Sequence, residues 1–173
     1  LLANYVRANG YHDIAILDCE AENLSPSESA HKIEDFNAKL TVYVVYGQQP
    51  SASTQNMQGV HDCLEALRTL NPERVTLLTG LYPSAVSRQT MQDEKTNFVC
   101  QGEGPKTIMG LMQIKNFKDP TELRKVPGLW FRDNGRICCT TPAPLISQEN
   151  LERELPGMAW DLLPMDKYRT SNW

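Results

Sequence analysis

The chain has 173 residues, 40% of them apolar and 22% charged, with 17 Lys+Arg against 21 Asp+Glu and a net charge of −4. That composition excludes collagen, coiled coil and wholesale disorder, and a chain of this length buries about 68–70% of its unfolded surface, enough for a core without a disulfide or structural metal. The weakly negative balance offers no basic footprint for nucleic acid or an anionic membrane, and no apolar run approaches the ~20 residues that span a bilayer.

Leu2, Tyr5 and Val6 repeat at helical spacing, and the pattern stops at Asn9-Gly10. The chain is expected to open inside a helix that belongs to a longer protein, with an earlier strand missing upstream. Residues 13–18 (DIAILD) form a continuous apolar run that predicts a strand buried on both faces. Ser25-Pro26-Ser27-Glu28 marks a helix start, with Ala30, Ile33 and Phe36 on one face. Residues 42–46 (VYVVY) predict a central strand, residues 48–54 a polar loop, and Met57, Val60, Leu64 and Leu67 a helix. The cycle repeats with a strand at 74–79, a loop at 80–84, a polar helix near 85–94, a short strand at 97–100 and a helix opened by Gly102-Glu103-Gly104-Pro105. Alternating strands and helices predict an open, doubly wound parallel α/β sheet with right-handed crossovers and both faces covered.

After Lys118 the pattern changes. Residues 129–132 and 136–140 flank Asp133-Asn134-Gly135, a strong hairpin signal. A Pro-rich connector with Pro142, Pro144, Pro156 and Pro164 follows and runs out at Asn172-Trp173 without a stop signal. The expected division is 1–117 for the α/β domain and 118–173 for hairpin and connector.

In an open α/β sheet, ligands bind beyond the carboxyl ends of the strands. Three loops lie there: Tyr46-Gly47-Gln48-Gln49-Pro50-Ser51-Ala52-Ser53-Thr54, then Gly80-Leu81-Tyr82-Pro83-Ser84, then Gln101-Gly102-Glu103-Gly104-Pro105. Small residues, hydroxyls and amides there suit close approach to a flat polar ligand, although any strand-to-helix junction needs such residues for turns and caps. Gly-Glu-Gly-Pro is neither a dinucleotide fingerprint nor a Walker A loop. His12, His31 and His61 have no partner at metal-ligand spacing, so no metal site is expected, and no catalytic group is assigned. Asp18, Glu20 and Glu22 read as a solvated or ligand-edge loop. Cys19, Cys63, Cys100, Cys138 and Cys139 show no C-x-x-C spacing, and free thiols in a reducing cytoplasm are the plain reading. The adjacent pair Cys138-Cys139 should point to opposite faces of a strand.

Several stretches together carry a resemblance over nearly the whole chain: GYHDIAILDCEA at 10–21, VYGQQPSASTQ at 45–55, QGEGP at 101–105, the hairpin at 127–137 and AWDLLPMDKYR at 159–169. They resemble the N-terminal cobalamin-binding domain of cobalamin-dependent radical S-adenosylmethionine enzymes. The resemblance implies a Rossmann-like, flavodoxin-like sheet with a corrin across its carboxyl edge, and a C-terminal radical barrel of the same parent chain as partner. S-adenosylmethionine and a four-iron four-sulfur cluster are expected only in that barrel, because no C-x-x-x-C-x-x-C occurs here. The implied activity is methyl transfer, with cobalt carrying the methyl group to a substrate radical.

Tyr46, Gly47, Gln48, Gln49, Ser51, Ser53, Thr54, Gly80, Leu81, Tyr82, Ser84, Gln101, Gly102, Glu103 and Gly104 are the expected cofactor-binding residues. Ser51, Ser53 and Thr54 would donate to corrin amides or the nucleotide tail. Gly47, Gly80 and Gly102 would give backbone clearance, and Tyr46 and Tyr82 would cover ring or tail. No D-x-H-x-x-G motif is present, so cobalt would have no protein His ligand. The competing reading is a non-catalytic flavodoxin-like interaction or signalling domain docking through Trp130, Phe131 and Trp160, or a flavin-binding variant.

Overall fold

The computed structural model describes residues 1–169, so the expected run-out at Asn172-Trp173 lies outside the described residues. The predicted apolar runs form β1 (Thr41–Val45), β2 (Thr76–Gly80) and β3 (Phe98–Cys100), which pair in parallel in that order. The hairpin forms β4 (Leu129–Asp133) and β5 (Arg136–Cys139), and β4 pairs antiparallel with β3, so the hairpin extends the same five-stranded sheet. Its turn places Asn134 at φ 49° and Gly135 at φ 78°, the paired positive angles that tight hairpins require.

Successive side chains of a strand face opposite sides of the sheet, and the core divides accordingly. Leu77, Phe98, Cys100, Leu129 and Phe131 face one side, where α1 (Leu2–Ala8) supplies Val6 and α6 (Pro105–Gln113) supplies Ile108 and Leu111. Leu78 and Val99 face the other, against Leu64 of α3 (Pro50–Leu70) and Met91 of α5 (Ser87–Asp93). Both faces are thus covered, as the alternation of elements predicts. Cys138 packs against the first core while Cys139 is exposed, the opposite-face placement expected for neighbours in a strand.

α2 (Pro26–Phe36) begins with a capping box in which Ser25 and Glu28 satisfy each other's backbone donors, and it packs along α3. Its Glu34 forms a two-pronged pair with Arg74, from Nε to Oε1 at 2.6 Å and from Nη2 to Oε2 at 2.8 Å, which ties the helix to the entrance of β2. On the same edge Arg68 donates to the carbonyls of Lys95 and Arg74, both at 2.7 Å.

The structure corrects five expectations. The run at 42–46, expected as a central strand, forms β1 at the edge of the described sheet, with Val44 55% exposed because no described strand covers that side. Residues 13–18 do not form a strand: Tyr11 and Ile14 pack against the core, but no described strand pairs with the segment, and a strand exists only where a neighbour takes its backbone groups. The loop expected over 48–54 is cut short because α3 starts at Pro50, whose fixed φ suits the first helical position. The loop expected over 80–84 winds into the short α4 (Leu81–Ala85). Phe131 is fully buried in the sheet core and is unavailable for docking, whereas Trp160 is 60% exposed.

Beyond α7 (Pro120–Leu123) and the hairpin, a return segment containing α8 (Leu151–Glu154) runs back along the first third of the chain. Asn4 Nδ2 donates to the Pro156 carbonyl at 3.0 Å, Arg7 pairs with Asp161 at 2.9 Å, and the Tyr168 hydroxyl donates to Asp18 Oδ2 at 2.7 Å. Asp18 also caps the turn at Ala21, and Glu22 pairs with Lys32 and Lys167, so two of the three acids of that loop serve to hold it. Among the described residues no helix is long and apolar enough to cross a membrane.

The Arg74 guanidinium holds the Glu34 carboxyl below the usual glutamate range. A depressed folded-state value means the pair stabilises the fold above the ordinary glutamate pKa and loses that contribution as pH falls through the folded value. Glu34→Gln should therefore lower the urea midpoint at pH 7, and the gap from the parent chain should shrink by about pH 3. An equal gap at both pH values would contradict the pair's role.

Candidate functional site

The carboxyl ends of the three parallel strands form one edge, with Val45 and Gly80 in register as the last residues of β1 and β2. The segments leaving that edge are joined to one another by their own side chains. Ser53, fully buried in the first turn of α3, donates its hydroxyl proton to the Val45 carbonyl at 3.1 Å and accepts from the Tyr82 amide at 3.0 Å. Ser84 Oγ accepts from the Gly102 amide at 2.8 Å, and the Trp130 indole donates to Gln101 Oε1 at 2.9 Å. Asn56 closes the near end by donating to the Tyr46 carbonyl at 2.7 Å. The edge is therefore a continuous platform running from β1 to β4.

Close packing determines where glycine is required. A Cβ at Gly47 would sit 2.3 Å from the Ser53 amide nitrogen, and one at Gly80 would sit 2.3 Å from the Val45 carbonyl oxygen. The clearance at those positions is already filled by the chain's own backbone. Gly102, at φ +113°, faces open space on the exposed edge, where a side chain meets nothing of the protein. Gly104, also at positive φ, packs under Leu2 and Thr79.

The expected site residues thus separate into two groups. Tyr46 (68% exposed), Leu81, Gln48, Gln49, Ser51, Gln101, Gly102 and Glu103 lie open on the edge. Ser53, Ser84, Gly47, Gly80 and Gly104 build the platform, and Thr54 turns its hydroxyl back to the Pro50 carbonyl at 2.9 Å. Ser53, expected as a donor to a ligand, spends its proton on Val45. Tyr82 is half-buried, its amide tied to Ser53. Beneath the edge, burial pushes the Cys100 thiol up, so it stays protonated among Thr79 and Thr107.

Gln49, the residue capping the start of α3, makes no side-chain cap hydrogen bond, which leaves first-turn amides at the platform as donors for anionic or amide oxygens. Beside the third strand end opens a cleft of about 350 Å³ lined by Arg88, Gln89, Gln92, Gln101 and Trp130 together with Ala85, Val86 and Ser87. Arg88, Gln89 and Gln92 were not singled out in the sequence. Their spacing on one helix face was visible, but the polar helix gave no sign of which side would meet Trp130. His12 and His31 are exposed and His61 pairs with Glu94 at 3.0 Å; among the described residues no cluster of three His, Cys, Asp or Glu could hold a metal ion.

No known family profile matches the chain. An uncharacterized methyltransferase of Pyrococcus horikoshii, PH0819, is 29% identical over 169 residues, which is 97% of this chain and 34% of that protein. Anaerobic magnesium-protoporphyrin IX monomethyl ester cyclases of Synechocystis sp. and Rubrivivax gelatinosus are 27% and 24% identical over 91% and 96% of this chain, and 30% and 29% of their own lengths. The chain therefore spans about a third of the length of these curated relatives. Among solved structures, the cobalamin-dependent S-adenosylmethionine radical enzyme OxsB, with aqua-cobalamin and S-adenosylmethionine bound, superposes with a TM-score of 0.60 over 88% of this chain and 20% of its own. At 14% identity the likeness is one of fold, and that fold is the one the sequence resemblance implies.

Ser53→Ala should destabilise the folded chain by about 1–3 kcal/mol in urea unfolding, because the Tyr82 amide and Val45 carbonyl lose a shared partner in a buried setting. Ser51→Ala, on the exposed turn, should stay within about 0.5 kcal/mol of the parent. Equal effects would contradict the division of the platform given above.

Proposed function

We propose that the chain is the cobalamin-binding module of a radical S-adenosylmethionine enzyme, with the corrin lying across the platform at the ends of β1, β2 and β3. The observation that carries this reading is the joined, open edge: three strand ends tied into one surface, with exposed amides, an exposed tyrosine and an uncapped helix start facing outward. The donor set fits the group. A corrin is a broad ring fringed with carboxamides and carrying a phosphate-linked nucleotide, and the open residues Gln48, Gln49, Ser51 and Gln101 can donate to and accept from such amides. The sequence resemblance and the fold shared with OxsB support the same assignment.

Within this reading, Tyr46 and Leu81 supply apolar cover for the ring, and Gly102 lets the chain pass close beneath it. The first-turn amides of α3 serve an anionic or amide oxygen, and the cleft between Arg88, Gln92 and Trp130 takes a polar appendage of the ligand, with the guanidinium available for a phosphate. When bound, cobalamin supplies a cobalt centre able to carry a methyl group. The residues here bind and orient, and no side chain of this chain is assigned a chemical step. Methyl transfer, S-adenosylmethionine and the four-iron four-sulfur cluster belong to the remainder of a longer, cytoplasmic parent protein, with residues 118–173 leading toward its barrel. No imidazole stands among the platform residues, so these residues would hold the corrin without a His from this chain on cobalt.

Titration of the purified chain with hydroxocobalamin, followed by visible absorption and gel filtration, should show one corrin retained per chain. Gly102→Val, which meets no protein atom, should weaken retention about tenfold; its own φ strain is controlled for by matching unfolding midpoints. Retention of flavin instead of corrin, or release of corrin by both the folded chain and its longer parent, would overturn the assignment. In the reduced cobalt state, electron paramagnetic resonance spectra of ¹⁴N- and ¹⁵N-His-labelled chain should be identical, and a difference would reveal a protein imidazole on cobalt.

A further inference from the structure

Gln101, the first residue after β3, is held by its backbone and by its side chain. Its amide donates to the Gly128 carbonyl at 2.8 Å, and its own carbonyl oxygen lies 2.7 Å from where a Cβ on residue 128 would stand, a place left free by glycine at φ +67°. Its side-chain Oε1 accepts from the Trp130 indole at 2.9 Å. An indole nitrogen only donates, so the contact admits one orientation of the Gln101 amide: Oε1 toward Trp130, with the two Nε2 protons turned away from it. Those protons have no hydrogen-bond partner among the described residues. The neighbouring Gly102 amide is already taken up by Ser84, so at this strand end the side chain of Gln101 carries the free donors.

Gln101 and Trp130 line the cleft of about 350 Å³, and across it stands α5, where Arg88 and Gln92 lie one turn apart with Gln89 beside Arg88. All three α5 side chains are exposed, and among the described residues Arg88 has no acidic partner. No carboxylate lines the cleft, although the chain carries more acids than bases. Glu103 lines a separate crevice with Lys106, Pro144 and Leu145, and Glu94 is engaged by His61. A guanidinium and an oriented amide donor around a carboxylate-free cleft suit an anionic oxygen ligand better than a neutral one.

We propose, resting on the corrin reading above, that this cleft holds the phosphodiester of the corrin's nucleotide loop, with Arg88 and Gln101 as its donors. Trp130 is the positioning residue that keeps the Gln101 amide protons available by holding Oε1. The carboxamides around the ring are neutral and the phosphodiester is the one peripheral group with a negative charge, so the cleft sets the preference of the chain for a complete cobalamin over the bare ring.

The test compares aqua-cobalamin with aqua-cobinamide, which has the same ring and lacks the phosphate and its nucleotide, by visible-absorption titration of the chain at pH 7. The readout is the ratio of the two dissociation constants, in which any ring contact that a substitution disturbs cancels. The unsubstituted chain should prefer cobalamin, and Arg88→Gln should cut that preference about tenfold with an unchanged unfolding midpoint. Gln101→Glu keeps an acceptor for the indole but sets an anion against the phosphate, and it should cut the preference at least as much. Trp130→Phe keeps an aromatic ring without the N–H and should cut it about threefold, a change in ratio that a purely structural loss does not produce. An unchanged preference in Arg88→Gln and Gln101→Glu, or equal weakening of both corrinoids, overturns the assignment while the corrin reading stands. An unchanged preference in Trp130→Phe overturns the positioning role. A folded parent chain that retains neither corrinoid overturns the corrin reading, and this assignment with it.

Discussion

The carbonyl of Val45 is the point at which the carboxyl edge of the sheet is fixed. It accepts the Ser53 hydroxyl proton, and its oxygen lies where a Cβ on residue 80 would have to be. Residue 80 must therefore be glycine, at φ +132°, and β2 must leave the sheet at the same level as β1. The Ser53 amide and Gly47 are packed by the same approach, so α3 begins directly over the end of β1. A side chain at either glycine would push apart two backbones that cannot yield without moving a strand or the longest helix.

The opposite edge is held by different chemistry. There Arg68 and Arg74 gather backbone carbonyls and the Glu34 carboxylate around the entrances of β2 and β3, with charged groups satisfied by several partners each. The carboxyl edge carries no such charge network; it is held by hydroxyls, an indole and close backbone contact. The chain has thus concentrated its tight ion pairing at the edge where β2 and β3 enter the sheet and left small neutral donors along the carboxyl edge, where the corrin is proposed to lie.

Much of this was legible in the sequence. The alternation of apolar runs with 3.6-residue periods shows the layered sheet because the inner strands β2 and β3 bury both faces, and Asn134-Gly135 shows the hairpin because those residues tolerate positive φ. The segment at 13–18 misled for a physical reason: its composition is that of a buried strand, and composition says nothing of whether a neighbour is present to pair with it. The small polar residues at 48–54 read as a loop because the outer face of a first helical turn has the same composition as one. Ser53 and Ser51 are indistinguishable in sequence, yet one is buried between two strand ends and the other exposed, a difference set by helix phase. The cleft beside Trp130 could not be read at all, since it needs the antiparallel pairing of β4 with β3 to bring Arg88 and Gln92 opposite the indole.

The return segment makes its polar contacts with earlier parts of the chain through surface pairs, among them Asn4 with Pro156, Arg7 with Asp161, Lys106 with Glu154, Lys167 with Glu22 and Tyr168 with Asp18. Solvent-exposed pairs of that kind contribute little, and the only strongly buried apolar side chain described between residues 141 and 169 is Ala159. The sheet is held by two apolar cores and continuous ladders, so the two parts differ widely in the free energy needed to open them. The amides of the segment therefore exchange with solvent through sub-global opening while those of β2 and β3 wait for the whole domain to unfold. A pull on the segment peels it away pair by pair, and the sheet stays intact until the last of them has let go.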